Sequence, residues 1–170
     1  TIISPSDSLE TIKAVEASLK YNQSCYIRLT GGPNNTIVNS SDYDFKIGKA
    51  IVLNKGKDVV LIANGSVVSE AIKAAKILEN KNISATVINM HTVKPIDSDI
   101  ILKSIINSKL FVTIEEHNIF GGIGSAVSEV LATVQNHPPL IKIGIDDQYK
   151  FHGGYKYLLQ KYGLLSNEIV

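Results

Sequence analysis

The stretch DVVLIANGSVVSEAIKAAKIL, residues 58–78, decides the fold. Asp58 to Ala63 is a near-continuous apolar run, the pattern of a strand covered on both faces. Asn64, Gly65 and Ser66 break it. From there to about Asn80 the apolar positions Val68, Ile72, Ala75 and Leu78 fall at helical spacing. A buried strand that turns directly into a helix is one unit of a parallel α/β sheet.

Downstream, the same alternation repeats. Ile83 to Ile88 reads as a strand, and Pro95 and Asp97 open a helix carrying Ile101, Leu102, Ile105 and Ile106. Leu110 to Glu115 is a strand, and Gly121, Gly122 and Gly124 lead into a helix with Val127, Val130, Leu131 and Val134. Leu140 to Ile145 is a last strand and Tyr155 to Tyr162 a last helix. Upstream, Lys49 to Leu53 is a short strand. The expected fold class is α/β: three layers, α/β/α, around a mostly parallel sheet.

Further upstream lies a separate βαβ unit. Thr1 to Ser4 reads as a strand end. Ser6 or Asp7 can cap the next helix, with Glu10 placed for a capping box. Leu9, Ile12, Val15 and Leu19 form that helix's apolar stripe, and Ser24 to Thr30 is its second strand. Gly31 to Asp44 is polar and rich in Gly, Asn and Ser, which suits a linker. Three parts are expected: a βαβ unit over 1–32, a linker over 33–46 and the main domain over 47–170.

The chain has 170 residues and a formal net charge of +1, far from the basic balance that coats a nucleic acid. No segment is long and apolar enough to span a bilayer, so no membrane partner is expected. Arg28 is the only arginine, so one bidentate grip on a phosphate or carboxylate is the most the chain can make. Cys25 is the only cysteine; it sits in an apolar run, where a buried inert thiol is expected, and a cytoplasmic setting fits. The chain starts at Thr1 and its only methionine is Met90, so a cut, a processed start or an upstream region is expected.

The densest constellation of chemistry is Glu115-Glu116-His117-Asn118 followed by Gly121-Gly122-Ile123-Gly124-Ser125. It stands at the carboxyl end of a strand and opens a helix, where open α/β sheets place ligands. The glycine spacing is not that of a dinucleotide fingerprint. A tight turn with a capped helix, an interface and a catalytic site all remain open for it. Asn64-Gly65-Ser66 is a similar turn, for which helix capping is favoured over phosphate binding. His91 lies on the same edge, as a loop residue or a proton shuttle. His152 is assigned no role. No metal site is expected, because no two histidines have ligand spacing on one element.

Taken together, three segments resemble the transketolase family: residues 56–78, residues 83–97 (ISATVINMHTVKPID) and residues 111–132 (FVTIEEHNIFGGIGSAVSEVLA). They are similar to its C-terminal domain, and more distantly to those of deoxyxylulose-phosphate synthase and the β-subunits of 2-oxoacid dehydrogenases. Residues 3–30 are similar to the last βαβ of the preceding pyrimidine-binding domain. The resemblance implies a five-stranded sheet whose first strand, Lys49 to Leu53, is antiparallel to the rest. It implies part of an enzyme that transfers two-carbon ketol units between sugars or sugar phosphates, using thiamine diphosphate and Mg²⁺. The GDG…N magnesium motif and the cofactor-activating glutamate are missing, so this chain alone is expected to bind neither cofactor and to be inactive.

The same resemblance implies dimerisation or association with the missing N-terminal domains or subunit. Glu116, His117, Gly121, Gly122 and Gly124 are the interface candidates; Arg28 and His117 are the substrate-side candidates. Family members often carry an arginine where Gly31 stands, which questions phosphate binding there. Residues 146–164 also depart from the usual loop, with His152 in place of a small residue. The alternatives are a docking module without catalysis, or a subunit like those of a 2-oxoacid dehydrogenase or deoxyxylulose-phosphate synthase.

Overall fold

The computed structural model describes residues 1–30, 36–39, 43–148 and 151–170. Gly31 and Gly32, together with 33–35 and 40–42 of the expected linker, lie outside the described residues.

The elements follow in chain order. The first unit is β1 (Ile2–Ile3), α1 (Ser8–Leu19) and β2 (Tyr26–Ile27). The main unit is β3 (Ile51–Asn54), β4 (Val59–Ala63), α2 (Val68–Glu79), β5 (Ala85–Asn89), β6 (Thr92–Lys94), α3 (Ser98–Ile105), β7 (Leu110–Asn118), α4 (Ile123–Leu131), β8 (Leu140–Ile145), α5 (Tyr155–Lys161) and α6 (Ser166–Ile169). A single 3₁₀ turn, Gly65–Val67, joins β4 to α2.

Five strands form the main sheet in the order β3-β5-β4-β7-β8. All neighbours are parallel except β3, which pairs antiparallel with β5. β4 lies at the centre, and its apolar run serves two cores at once. Leu61 and Ala63 face α2, α5 and α6, with Ala71, Ala74, Leu159 and Leu164. Val60 and Ile62 face α3 and α4, with Ile101, Phe111, Ile123, Val127 and Leu131. Alternate side chains point to opposite faces, so a strand sandwiched between helices is apolar throughout.

Several local expectations change. β7 runs to Asn118, because its pairing with β8 resumes at Asn118 and Ile145 after an irregularity. Glu116, His117 and Asn118 therefore stand on a strand rather than in the turn. α3 leaves Ile106 exposed, just past its last turn. Cys25 is only partly buried.

The largest change concerns α1. Asp7 caps it as expected: one carboxylate oxygen accepts the Glu10 amide at 2.8 Å. The buried face, however, carries Glu10 and Ala14, both fully buried. The apolar stripe of Leu9, Ile12, Val15 and Leu19 is exposed, Leu19 to 82%. The spacing predicted the stripe; only the surroundings decide which face it meets.

Candidate functional site

The first unit is joined to the main one along the carboxyl edge of the sheet. β1 pairs with β2 in parallel and with β6 antiparallel. The Ser4 amide donates to the His91 carbonyl at 2.7 Å, and the Gly65 amide donates to the Ser4 carbonyl at 3.1 Å.

Beneath this seam lies the buried Glu10 carboxylate. It accepts from the Ser6 amide at 2.7 Å, from Asn89 Nδ2 at 2.9 and 3.1 Å, and from the Tyr43 hydroxyl at 2.7 Å. A buried charge is tolerated when several donors satisfy it. The other Asp7 oxygen accepts the Val38 amide at 2.8 Å. Together the two acids fasten the start of α1 to β5 and to the segment leading into β3.

Arg28 makes the third tie. Its Nη2 donates to the Glu116 carbonyl at 2.7 Å. The Glu116 carboxylate is itself held by the Ser66 hydroxyl, and by the Tyr155 hydroxyl at 2.9 Å. Burial pushes the Tyr155 phenol well above its ordinary range, and the neighbouring Glu116 charge adds to that. The Ser66 side chain therefore fixes β7 and α5 and does not cap a helix; α2 has no side-chain cap.

At the end of β7 the sequence motif becomes a closed device. Glu115 is buried, and its two oxygens accept the amides of Ile123 at 2.8 Å and Gly124 at 2.9 Å. These are amides of the first turn of α4, where an anion would otherwise bind. Burial pushes the Glu115 carboxyl up, against the pull of those two amides. A Cβ on Gly122 would lie 1.7 Å from Glu115 Oε2, so only glycine leaves room for the carboxylate. The chain's own acid fills this helix start. A diphosphate does not fit there. Among the described residues, no group of three or more His, Cys, Asp or Glu could hold a metal ion.

The structure thus sorts the site candidates. Arg28 and His117 are brought to the same place, since Arg28 holds the carbonyl that precedes His117. His117 is exposed, and its Nδ1 lies 2.9 Å from the Asn118 carbonyl. A carbonyl only accepts, so Nδ1 is the donor in this contact. Of the interface candidates, the Glu116 side chain points inward and Gly122 and Gly124 are buried. His117 and Gly121 reach the surface, beside Phe120, which is exposed. His91 is fully buried on the seam. Sequence reasoning missed Glu10, Asn89, Tyr43 and Tyr155. Glu10 was legible only as a capping residue, and no local signal marks the other three.

The comparisons with known proteins bear on this arrangement. The transketolase C-terminal domain model matches residues 48–169. The chain is 39% identical over 171 residues to the 6-deoxy-6-sulfo-D-fructose transketolase subunit of Clostridium sp. (strain MSTE9), covering all of this chain and 52% of that protein. It is 34% identical over 163 residues to one of the subunits of the apulose-4-phosphate transketolase of Phocaeicola vulgatus, covering 96% of this chain and 52% of that one. A solved split-gene transketolase, an inactive β4 tetramer, shares the fold with a TM-score of 0.88 at 37% identity, over 99% of this chain and 54% of its own. The chain spans about half the length of these relatives. The family match takes in every element from β3 to α6, and the chain therefore belongs to the transketolase family and carries its C-terminal domain.

Proposed function

We propose that this chain is the C-terminal part of a transketolase-like enzyme that moves two-carbon ketol units between sugars, and that it works only together with the rest of that enzyme. The observation that carries this reading is α1. A helix that buries a glutamate and exposes four aliphatic residues has its apolar face turned toward a missing neighbour. β2 beside it is an edge strand, with Tyr26 and Leu29 exposed. The reading also draws on relatives named as transketolase subunits, each about twice as long as the matched region.

On this reading, thiamine diphosphate and Mg²⁺ are bound by the parts that this chain lacks. The chain supplies support, association and one wall of the substrate site. Arg28 acts as a positioning residue: it fixes the Glu116 carbonyl and so the strand end that carries His117. His117, Phe120 and Gly121 offer a surface to a second copy or to the complementary subunit. The setting is cytoplasmic, in keeping with a lone unpaired cysteine.

The test is reconstitution. The chain is combined with a polypeptide carrying the GDG…N domain and the rest of the pyrimidine domain, then assayed with a ketose donor, thiamine diphosphate and Mg²⁺. Ketol transfer by the mixture and none by either half is the expected result. A correctly assembled mixture that turns over no ketose donor would sink the proposal. For the chain alone, calorimetry is expected to find no thiamine diphosphate binding; micromolar affinity would refute that part.

A further inference from the structure

His91 is the buried titratable group that the proposed function leaves unused. Its ring stacks on Phe45, with centroids 4.1 Å apart and planes 27° from parallel. Phe45 belongs to residues 43–49, the segment that leads into β3. That segment is held by hydrogen bonds and by the ion pairs of Lys49 with Asp97 and Asp99. The Tyr43 hydroxyl donates to Glu10, and Lys13 Nζ donates to the Tyr43 carbonyl at 2.9 Å. The Gly48 amide donates to Thr92 Oγ1 at 3.1 Å, and that same hydroxyl lies 3.0 Å from His91 Nδ1. His91 Nε2 has no partner at hydrogen-bond geometry among the described residues, although the Lys49 backbone lies close enough to favour a proton.

The charges around this ring come from every side. Glu10 faces it from α1, Asp97 from the start of α3, and Lys49 from the segment itself, where it pairs with Asp97 and Asp99. The two acids favour an imidazolium, yet burial outweighs them and pulls the His91 pKa below its ordinary value. The neutral ring is the one that the closed seam accepts.

We propose that the His91–Phe45 stack is a pH-sensitive clasp, which holds residues 43–49 on the seam while the imidazole is neutral and lets them go when it takes a proton. The sign follows from linkage. The buried ring binds its proton less readily than an exposed one. The clasp is therefore at full strength above the ordinary histidine range, near 6.5, and weakens as the pH falls through it. Tyr43 ties the clasp to Glu10, so opening also loosens the donors on that carboxylate. The clasp stands independently of ketol transfer and is tested on the chain by itself.

Proton NMR of the chain from pH 8 to pH 5 gives the direct test. The expected result is a His91 ring that titrates below the ordinary range, with the cross-relaxation between the His91 and Phe45 rings fading in step. Thermal unfolding provides a second measurement. Lowering the pH from 7.5 to 5.5 is expected to depress the Tm of the wild type by about 2 °C or more beyond the loss seen in His91→Phe. That variant keeps a ring for the stack and has no proton to gain, and His91→Gln serves if it does not fold. A ring contact that persists while His91 titrates would overturn the clasp, as would a ring that stays neutral to pH 5.

Discussion

At the scale of the residue, Glu115 and Gly122 are a matched pair. The carboxylate occupies the start of α4 only because position 122 has no side chain. Gly122→Ala is expected to cost about 2–4 kcal/mol, since Glu115 must leave its two amides or the turn must shift. Gly154→Ala is the control, because nothing lies within 4 Å of its Cβ and its φ is −64°. It is expected to be neutral or stabilising by about 0.5 kcal/mol. Denaturant unfolding of both variants checks the contrast, and equal losses would mean that crowding by Glu115 is not the cause. The same acid predicts a pH dependence. Its folded pKa is raised, so its contribution is fully present below its ordinary value of 4.5 and is lost as the pH rises through the raised one. The Tm advantage of wild type over Glu115→Gln should therefore be larger at pH 4 than at pH 7.

At the scale of the element, α1 separates what spacing encodes from what it does not. Periodicity marked Leu9, Ile12, Val15 and Leu19 as one stripe, and they are one. It could not say that Glu10 and Ala14 would face the protein. That depends on Asn89 and Tyr43, which are 79 and 33 residues away in sequence. Ile12→Lys is expected to change the stability of the chain by less than about 0.5 kcal/mol. Glu10→Gln is expected to cost about 2–3 kcal/mol, because it weakens a buried, fully donated carboxylate. If Ile12→Lys proves as costly as a core substitution, the exposed stripe is wrong. In the reconstituted enzyme the order should change, with Ile12→Lys impairing assembly.

At the scale of the whole molecule, the sheet was the most legible part. The five strands of the main sheet and helices α2 to α5 each carry a local pattern, and the near-continuous apolar run of β4 states that it is buried on both faces. β6 and α6, which are three and four residues long, were too short to be read as elements. The seam was the least legible, because its ties are long-range and polar. Arg28 read as a free grip for an anion, yet it spends a donor on a carbonyl 88 residues later. His117 read as catalytic, interfacial or structural, and only the three-dimensional placement shows that Arg28 holds the backbone carbonyl just before it. Arg28→Lys is expected to lose this tie and about 1–2 kcal/mol of stability. In the reconstituted enzyme it should raise KM more than the substitution of an exposed surface lysine does. An unchanged KM would remove Arg28 from the substrate side.

The pairing of β1 with β6 also sets an order of events in time. Ile2 and Ile3 meet Lys94 and Thr92, so β1 leaves the ribosome and waits for some ninety more residues before its antiparallel partner exists. At about 5–20 residues per second that wait lasts several seconds. Throughout it, the aliphatic side of α1 has neither the seam behind it nor a covering partner in front. A nascent chain arrested before residue 90 should be cut by protease near α1, and one arrested well past β6 should resist.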